Sequence, residues 1–303
     1  MKILYGTTEK NIDITTICIE KLQNKNIITI PFGDFNRANI FTDPVTDILK
    51  KIFVIIDENI SYEYDDTLTI KINVLDNTIV TISDTEINTK LQDIQSKLKI
   101  NYGSFSEELP EQKMAVRYLT GSEKVLEIGG NIGRNSLIIS YILSDNKNFV
   151  TLESDEDISK QLIENRDLNS LNFHIENSAL SKRNLIQISW NTIESDVLLD
   201  GYKPVKSITL DELYAKYGII FDTLVLDCEG AFYYILLDMP EILDNVNLII
   251  MENDYCDINK KEYIDEILKQ NNFYVDYQEA GGWGVCFNKF FEVWKKNHTN
   301  NDL

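Results

Sequence analysis

The side chains of this chain best placed to do chemistry are carboxylates. Glu127 lies inside the apolar stretch 124–128, and Glu153 follows 148–152. Asp227 and Glu229 follow 223–226, and Glu252 with its neighbour Asn253 follows 248–251. A carboxylate in such a place can take a proton from a reacting group, accept hydrogen bonds from hydroxyls, or hold a hard cation through oxygen. The plainer alternatives are a helix cap at Asp227 and an ordinary strand-end acid at Glu252. Other chemistries have little to work with. There are two histidines, His174 on a strand-like stretch and His298 in a polar tail. The four cysteines, Cys18, Cys228, Cys256 and Cys286, form no C-x-x-C pair, so the reading is reduced thiols and no structural zinc.

The elements that must position these acids alternate strand and helix. Strands are expected at 124–128, 148–152, 172–175, 223–226, 248–251, 273–277 and 285–294, and helices at 134–143, 155–167, 210–217, 232–237 and 260–269. Two further helices precede them, at 87–98 and 110–119; in the second, Pro110 suits the first turn and Glu111 its positive end. This is an α/β pattern with a sheet covered on both faces, and its ligand crevice lies beyond the C-terminal ends of the strands. The first ninety or so residues read differently, as short β-branched strands at 2–5, 12–19, 27–30, 53–56, 68–74 and 79–82. A loop at 31–44 leads to a short helix at 45–51. The expected division is therefore a small, mostly antiparallel β domain at 1–98 and a catalytic domain at 99–303.

The segment Glu127-Ile-Gly129-Gly-Asn131-Ile-Gly133 runs from strand into glycine-rich turn into helix. A dinucleotide loop needs G-x-G-x-x-G, but here the third position is Asn131 and the sixth Arg134, so NAD and FAD fit poorly. E-x-G-x-x-x-G is the looser loop of S-adenosylmethionine sites, where an acid suits the cationic cofactor and the glycines admit its methionine part. A structural turn with a solvated Glu127 is the bland alternative. Glu153 lies 26 positions on (153 minus 127), where a carboxylate can accept both ribose hydroxyls.

With both acids in place, the segment from Ser104 to Lys296 resembles the FkbM family of S-adenosylmethionine-dependent methyltransferases. The matching pieces are VLEIGGNIGRNS (125–136), FVTLE (149–153), ENSALS (176–181), ITLDEL (208–213) and LVLDCEGA (224–231). The resemblance implies a Rossmann-like methyltransferase sheet with an antiparallel last strand, and O-methylation of a sugar or small-molecule hydroxyl. By position it places Glu127, Gly129, Asn131 and Gly133 around the methionine part, Glu153 at the ribose, and Ser178 and Ala179 at the adenine. Two departures stand out: Ser154 replaces the usual proline after Glu153, and Phe232 replaces the last acid of Asp-x-Glu-Gly-x-Glu. The second bears on whether substrate recognition is shared.

Asp227 with Glu252-Asn253 is also similar to the arrangement in magnesium-dependent O-methyltransferases of the catechol type. An alcohol is about as weakly acidic as water, with a pKa of about 16, so its methylation needs help with the proton. Mg2+ on Asp227, Glu252 and Asn253 would lower that pKa, and Glu229 would accept the proton. A flap at Gly281-Gly-Trp283-Gly284 would cover a sugar ring, unless it is a tight turn around a half-buried Trp.

Composition narrows the partners. With 29 Lys and Arg against 49 Asp and Glu, the formal charge is -20, which repels nucleic acid and anionic membranes. With no signal-like N-terminus and no long apolar run, a cytoplasmic enzyme is expected. The expected acceptor is a sugar, nucleotide-sugar or glycan. The N-terminal domain would dock it, with Asp34, Arg37 and Asp43 as contacts, or make a homo-oligomer. The open alternatives are a phenol-type O-methyltransferase, a catalytically silent methyltransferase fold, and an oxidoreductase that binds NAD despite the missing glycines.

Overall fold

Apolar residues alternate along the N-terminal strands, and a computed structural model, which describes residues 1–57 and 60–297, shows what that alternation builds. Strands Asn11–Asp13, Lys2–Gly6, Lys51–Asp57 and Ile60–Tyr64 form one antiparallel sheet in that order. Gln23–Asn24, Ile27–Ile30, Leu68–Asn73 and Ile79–Ser83 form another. Every second residue points to one core: Ile3 and Tyr5, Ile28 and Ile30, Ile52 and Val54, Ile70 and Ile72 are all buried.

Two local expectations fail here. The strand expected at 12–19 stops at Asp13, because its carboxylate accepts hydrogen bonds from the Thr15 N–H (3.0 Å) and hydroxyl (2.7 Å) and turns the chain into a helical stretch. The helix expected at 45–51 is absent; a helix lies instead at Asp34–Phe41, inside the expected loop. Its Arg37 is fully buried and donates to the carbonyls of Pro31, Asp65 and Leu68 at 2.9, 2.8 and 2.7 Å. Asp34 and Asp43 hold Lys50 at 2.9 and 3.0 Å. All three candidate glycan contacts therefore hold the fold.

The larger sheet is built from seven strands: β1 (Val125–Ile128), β2 (Phe149–Leu152), β3 (His174–Glu176), β4 (Thr223–Leu226), β5 (Leu248–Glu252), β6 (Phe273–Glu279) and β7 (Phe291–Lys296). Their order is β3-β2-β1-β4-β5-β7-β6. The first five run parallel, and β7 pairs antiparallel with β5. This is the Rossmann-like sheet with an antiparallel strand that the sequence leads one to expect. Helices α1 (Leu109–Tyr118), α2 (Arg134–Ile142), α3 (Glu156–Leu168), α4 (Leu210–Tyr217), α5 (Ala231–Asp238) and α6 (Ile258–Gln270) belong to the same unit. All residues of β1, β2 and β4 are buried, which is why they read as apolar runs rather than alternations. Burying each Val, Leu or Ile there stabilises the sheet by about 1.5–3 kcal/mol.

The chain separates into two units, Met1–Thr89 with Asp276–Ala280, and Lys90–Val275 with Gly281–Leu303. The division falls inside the helix Asp84–Lys97, short of the expected boundary after Leu98. The single strand expected at 285–294 is a 3-10 turn (Gly284–Lys289) followed by β7. Among the described residues no helix is long and apolar enough to cross a membrane. His298 lies outside the described residues.

Candidate functional site

The glycine loop is held by its neighbours on both sides. The N–H groups of Gly129 and Gly130 donate to the Leu152 carbonyl on β2 at 3.0 and 2.9 Å. Gly129 has φ 93°, and a Cβ there would lie 1.6 Å from the Asp227 carbonyl oxygen, so only glycine lets the loop approach the end of β4 so closely. Gly133, with φ 94°, then releases the chain into α2.

Glu153, at the end of β2, accepts from the Asn131 N–H at 2.9 Å and the Asp155 N–H at 2.8 Å. Each oxygen keeps a lone pair for a further donor such as a ribose hydroxyl. Burial raises its pKa. Glu127 is 2% exposed, accepts from the Ser136 hydroxyl, and is pushed up to about 7, chiefly by desolvation. Ser178 and Ala179 follow β3: the Ser178 hydroxyl donates to Glu176 at 3.2 Å, and Ala179 pairs with Ser207 in a short parallel ladder.

Beyond the ends of β4 and β5 lies a cavity of about 400 Å³. Five carboxylates line it: Glu108, Glu111, Asp227, Glu229 and Glu252, together with Asn131. Trp190, Trp283, Phe290 and Phe291 supply aromatic surface, and no Lys, Arg or His is among the lining residues. Crowding of like charge out of water has the expected effect. Burial first, then Glu108, Glu111 and Glu229, drive Asp227 well above the usual carboxylate range. Glu252 is pushed up to about 11 by burial, then by the Asp227 charge and by Glu111. Glu229, exposed at the mouth, is raised to about 7 by its hydrogen bond with Asp254 and by partial burial.

Three non-glycine residues lining this cavity hold left-handed backbone: Glu108 (φ 55°), Asn131 (φ 47°) and Glu229 (φ 50°). Such strain costs on the order of 1–3 kcal/mol each and concentrates at functional sites. At Glu108 it starts α1, and Arg134 clamps that start through Glu108 and Glu107, both at 2.6 Å.

Of the expected ligands, Asn253 has its amide nitrogen engaged toward β7, while its Oδ1 is buried without a hydrogen-bond partner. Asn253 is fully buried, and its amide donates to the Lys289 carbonyl (2.6 Å) and to Glu292 (3.0 Å), on the β7 side of the sheet. The carboxylate that joins Asp227 and Glu252 is Glu111, and the three offer oxygens that all lie within 4.8 Å of one another. Sequence reasoning used Glu111 solely as a favourable charge at a helix start and missed Glu108, Trp190, Phe290 and Phe291. The clustered acids Glu107, Glu108 and Glu111 around Pro110 were the one available signal. Cys228, between Asp227 and Glu229, is pushed up to about 12 by burial, which disfavours the reactive thiolate. His174 packs against Tyr217, with ring centroids 4.9 Å apart.

No protein-family model and no curated protein matches this chain. Solved structures resemble it distantly. The ribosomal protein L11 methylase of Lactobacillus delbrueckii subsp. bulgaricus is 14% identical over 66% of this chain and 82% of its own, with a TM-score of 0.41. The O-methyltransferase from Bacillus cereus, in complex with SAH, is 15% identical over 69% and 88%, with a TM-score of 0.39. A putative RNA methyltransferase from Pyrococcus horikoshii is 11% identical over 71% and 98%, with a TM-score of 0.41.

Proposed function

We propose that this protein transfers the methyl group of S-adenosylmethionine to a hydroxyl of a sugar or glycan. The observation that carries the reading is the acid-lined cavity opening beside the glycine loop at the strand ends. In this reading the cofactor lies over Gly129–Gly133 with its ribose on Glu153, and Asp227 and Glu127 supply negative potential for its ammonium and sulfonium. The acceptor oxygen is aligned behind the methyl group, and Glu229, poised near neutrality, takes the proton. The resemblance of the sequence motifs to the FkbM family supports the same chemistry.

Mg2+ assistance belongs to this reading, on Asp227 and Glu252. Carboxylate oxygens close enough to share one ion fit a hard dication. When bound, it would lower the pKa of the acceptor hydroxyl. Trp190 and Trp283 offer ring faces to the C–H surface of a sugar. The absence of basic lining residues favours a neutral ring inside the cavity, with any phosphate of a nucleotide-sugar kept outside it. The N-terminal unit is assigned acceptor docking or self-association.

The test is transfer of tritiated methyl from S-adenosylmethionine to nucleotide-sugars, free glycosides and small phenols, with Glu229→Gln as control. Label on a glycoside, rising with pH through about 7 and lost by ~10²-fold or more in the control, is expected. Label confined to a phenol defeats the sugar assignment. Calorimetry showing no affinity for S-adenosylmethionine or S-adenosylhomocysteine defeats the methyltransferase reading altogether.

A further inference from the structure

Glu111 is the odd member of the acid cluster. Asp227 and Glu252 arrive on adjacent strands, so the sheet alone brings them together. Glu111 comes from the first turn of α1, 116 positions before Asp227 in sequence (227 minus 111), and is 7% exposed. A carboxylate buried to that degree needs a partner. One of its oxygens meets Glu252, while Oε2 is buried with no hydrogen-bond partner. Among the described residues that line the cavity none is cationic, and Arg134 is spent on Glu107 and Glu108.

The spacing suits an ion. Oxygens bound to one hard cation sit about 2.0–2.6 Å from it, so two on opposite sides are about 4–5 Å apart. The three carboxylates here present oxygens within 4.8 Å of one another, the spacing that sharing one ion requires.

We propose that Glu111, Asp227 and Glu252 together bind one divalent cation, with Glu111 closing the site from helix α1 over the ends of β4 and β5. This deepens the cation part of the proposed function and rests on it for Asp227 and Glu252. Oxygen-only ligation selects Mg2+, Mn2+ or Ca2+ over softer metals. The ion fills the open valence of Glu111 and ties the start of α1 to the sheet. That start is already fixed to α2 by Arg134 through Glu107 and Glu108, so cation and glycine loop share one support.

The experiment uses the full chain, stripped with chelator, without cofactor or acceptor. Thermal unfolding and calorimetry are followed with Mg2+, Mn2+ or Ca2+ added singly, up to about 10 mM. A melting temperature that rises by about 5 °C or more at ~100-fold excess over Kd is expected with at least one ion. Glu111→Gln and Glu252→Gln should each weaken binding at least ~10-fold, yet melt no lower than wild type without metal, because each takes an acid out of a set whose members raise one another's pKa and keeps a polar side chain of the same size. A merely structural role for Glu111 would lower the metal-free melting temperature instead. Glu164→Gln, on the exposed partner of Tyr102, should bind as wild type does. No shift with any of the three ions, or binding undiminished in Glu111→Gln, overturns the proposal. Cation binding without methyl transfer to any acceptor upholds this site and defeats the proposed activity. Methyl transfer in EDTA with no cation binding does the reverse.

Discussion

Replacing Glu127 by Gln tests the energetics of the buried strand-end acid directly. Its carboxyl is raised from 4.5 to about 7, mainly because β1 is sealed on both faces. For a carboxyl raised in the folded state, the neutral form contributes stability that is fully present below 4.5 and lost as pH climbs through 7. A full loss corresponds to ~3 kcal/mol, of which about 2 kcal/mol falls between pH ~5.5 and ~8.5. Gln keeps the acceptor for Ser136, and its new N–H group faces the Thr151 hydroxyl, which lies against the same carboxyl. The variant should therefore lack this part of the pH dependence. Urea unfolding of both proteins at the two pH values gives the difference of differences, in which the other raised carboxyls largely cancel. A value near ~2 kcal/mol in favour of the variant at high pH is expected. Equal slopes for the two proteins would refute the assignment of the raised pKa to Glu127. Affinity for S-adenosylhomocysteine should fall in the variant, since a negative charge is gone. Unchanged affinity would remove Glu127 from the cofactor site.

Gly129→Ala should destabilise the chain by ~3 kcal/mol or more and abolish cofactor binding, because its Cβ would collide with backbone at Asp227; unfolding and calorimetry report both. Trp283→Ala should raise the acceptor KM about tenfold with kcat little changed, as the proposed contact of its ring with the sugar requires; an equal fall in kcat would contradict that role. Lys261→Met should cost ~3–5 kcal/mol in chemical denaturation, since this fully buried lysine neutralises Glu292 and Asp265; a loss under ~1 kcal/mol would show that the pair is solvated.

Much of the fold was legible because parallel strands covered on both faces leave a plain signature. Val125–Ile128, Phe149–Leu152 and Thr223–Leu226 are short apolar runs followed by glycine or acid, and each is a central strand. The N-terminal unit was less legible. Asp13 turns its chain by a side-chain hydrogen bond that periodicity does not register, and Arg37 satisfies two carbonyls, of Asp65 and Leu68, from far along the sequence. The 3-10 turn before β7 likewise interrupts what reads as one continuous strand.

The sequence by itself determined the alternation of strands and helices from Val125 to Gln270, the glycine loop, and the placement of Glu127, Glu153, Asp227, Glu229 and Glu252 at or beside strand ends. Those follow from local chemistry and from the rule that a parallel sheet gathers its ligands at one edge. Only the tertiary structure decided that Glu111 meets Asp227 and Glu252 while Asn253 turns toward Glu292. The reason is physical. Which side of a strand end a side chain faces, and which helix start lies above it, depend on packing between residues from 39 to more than a hundred positions apart, and no local pattern encodes that.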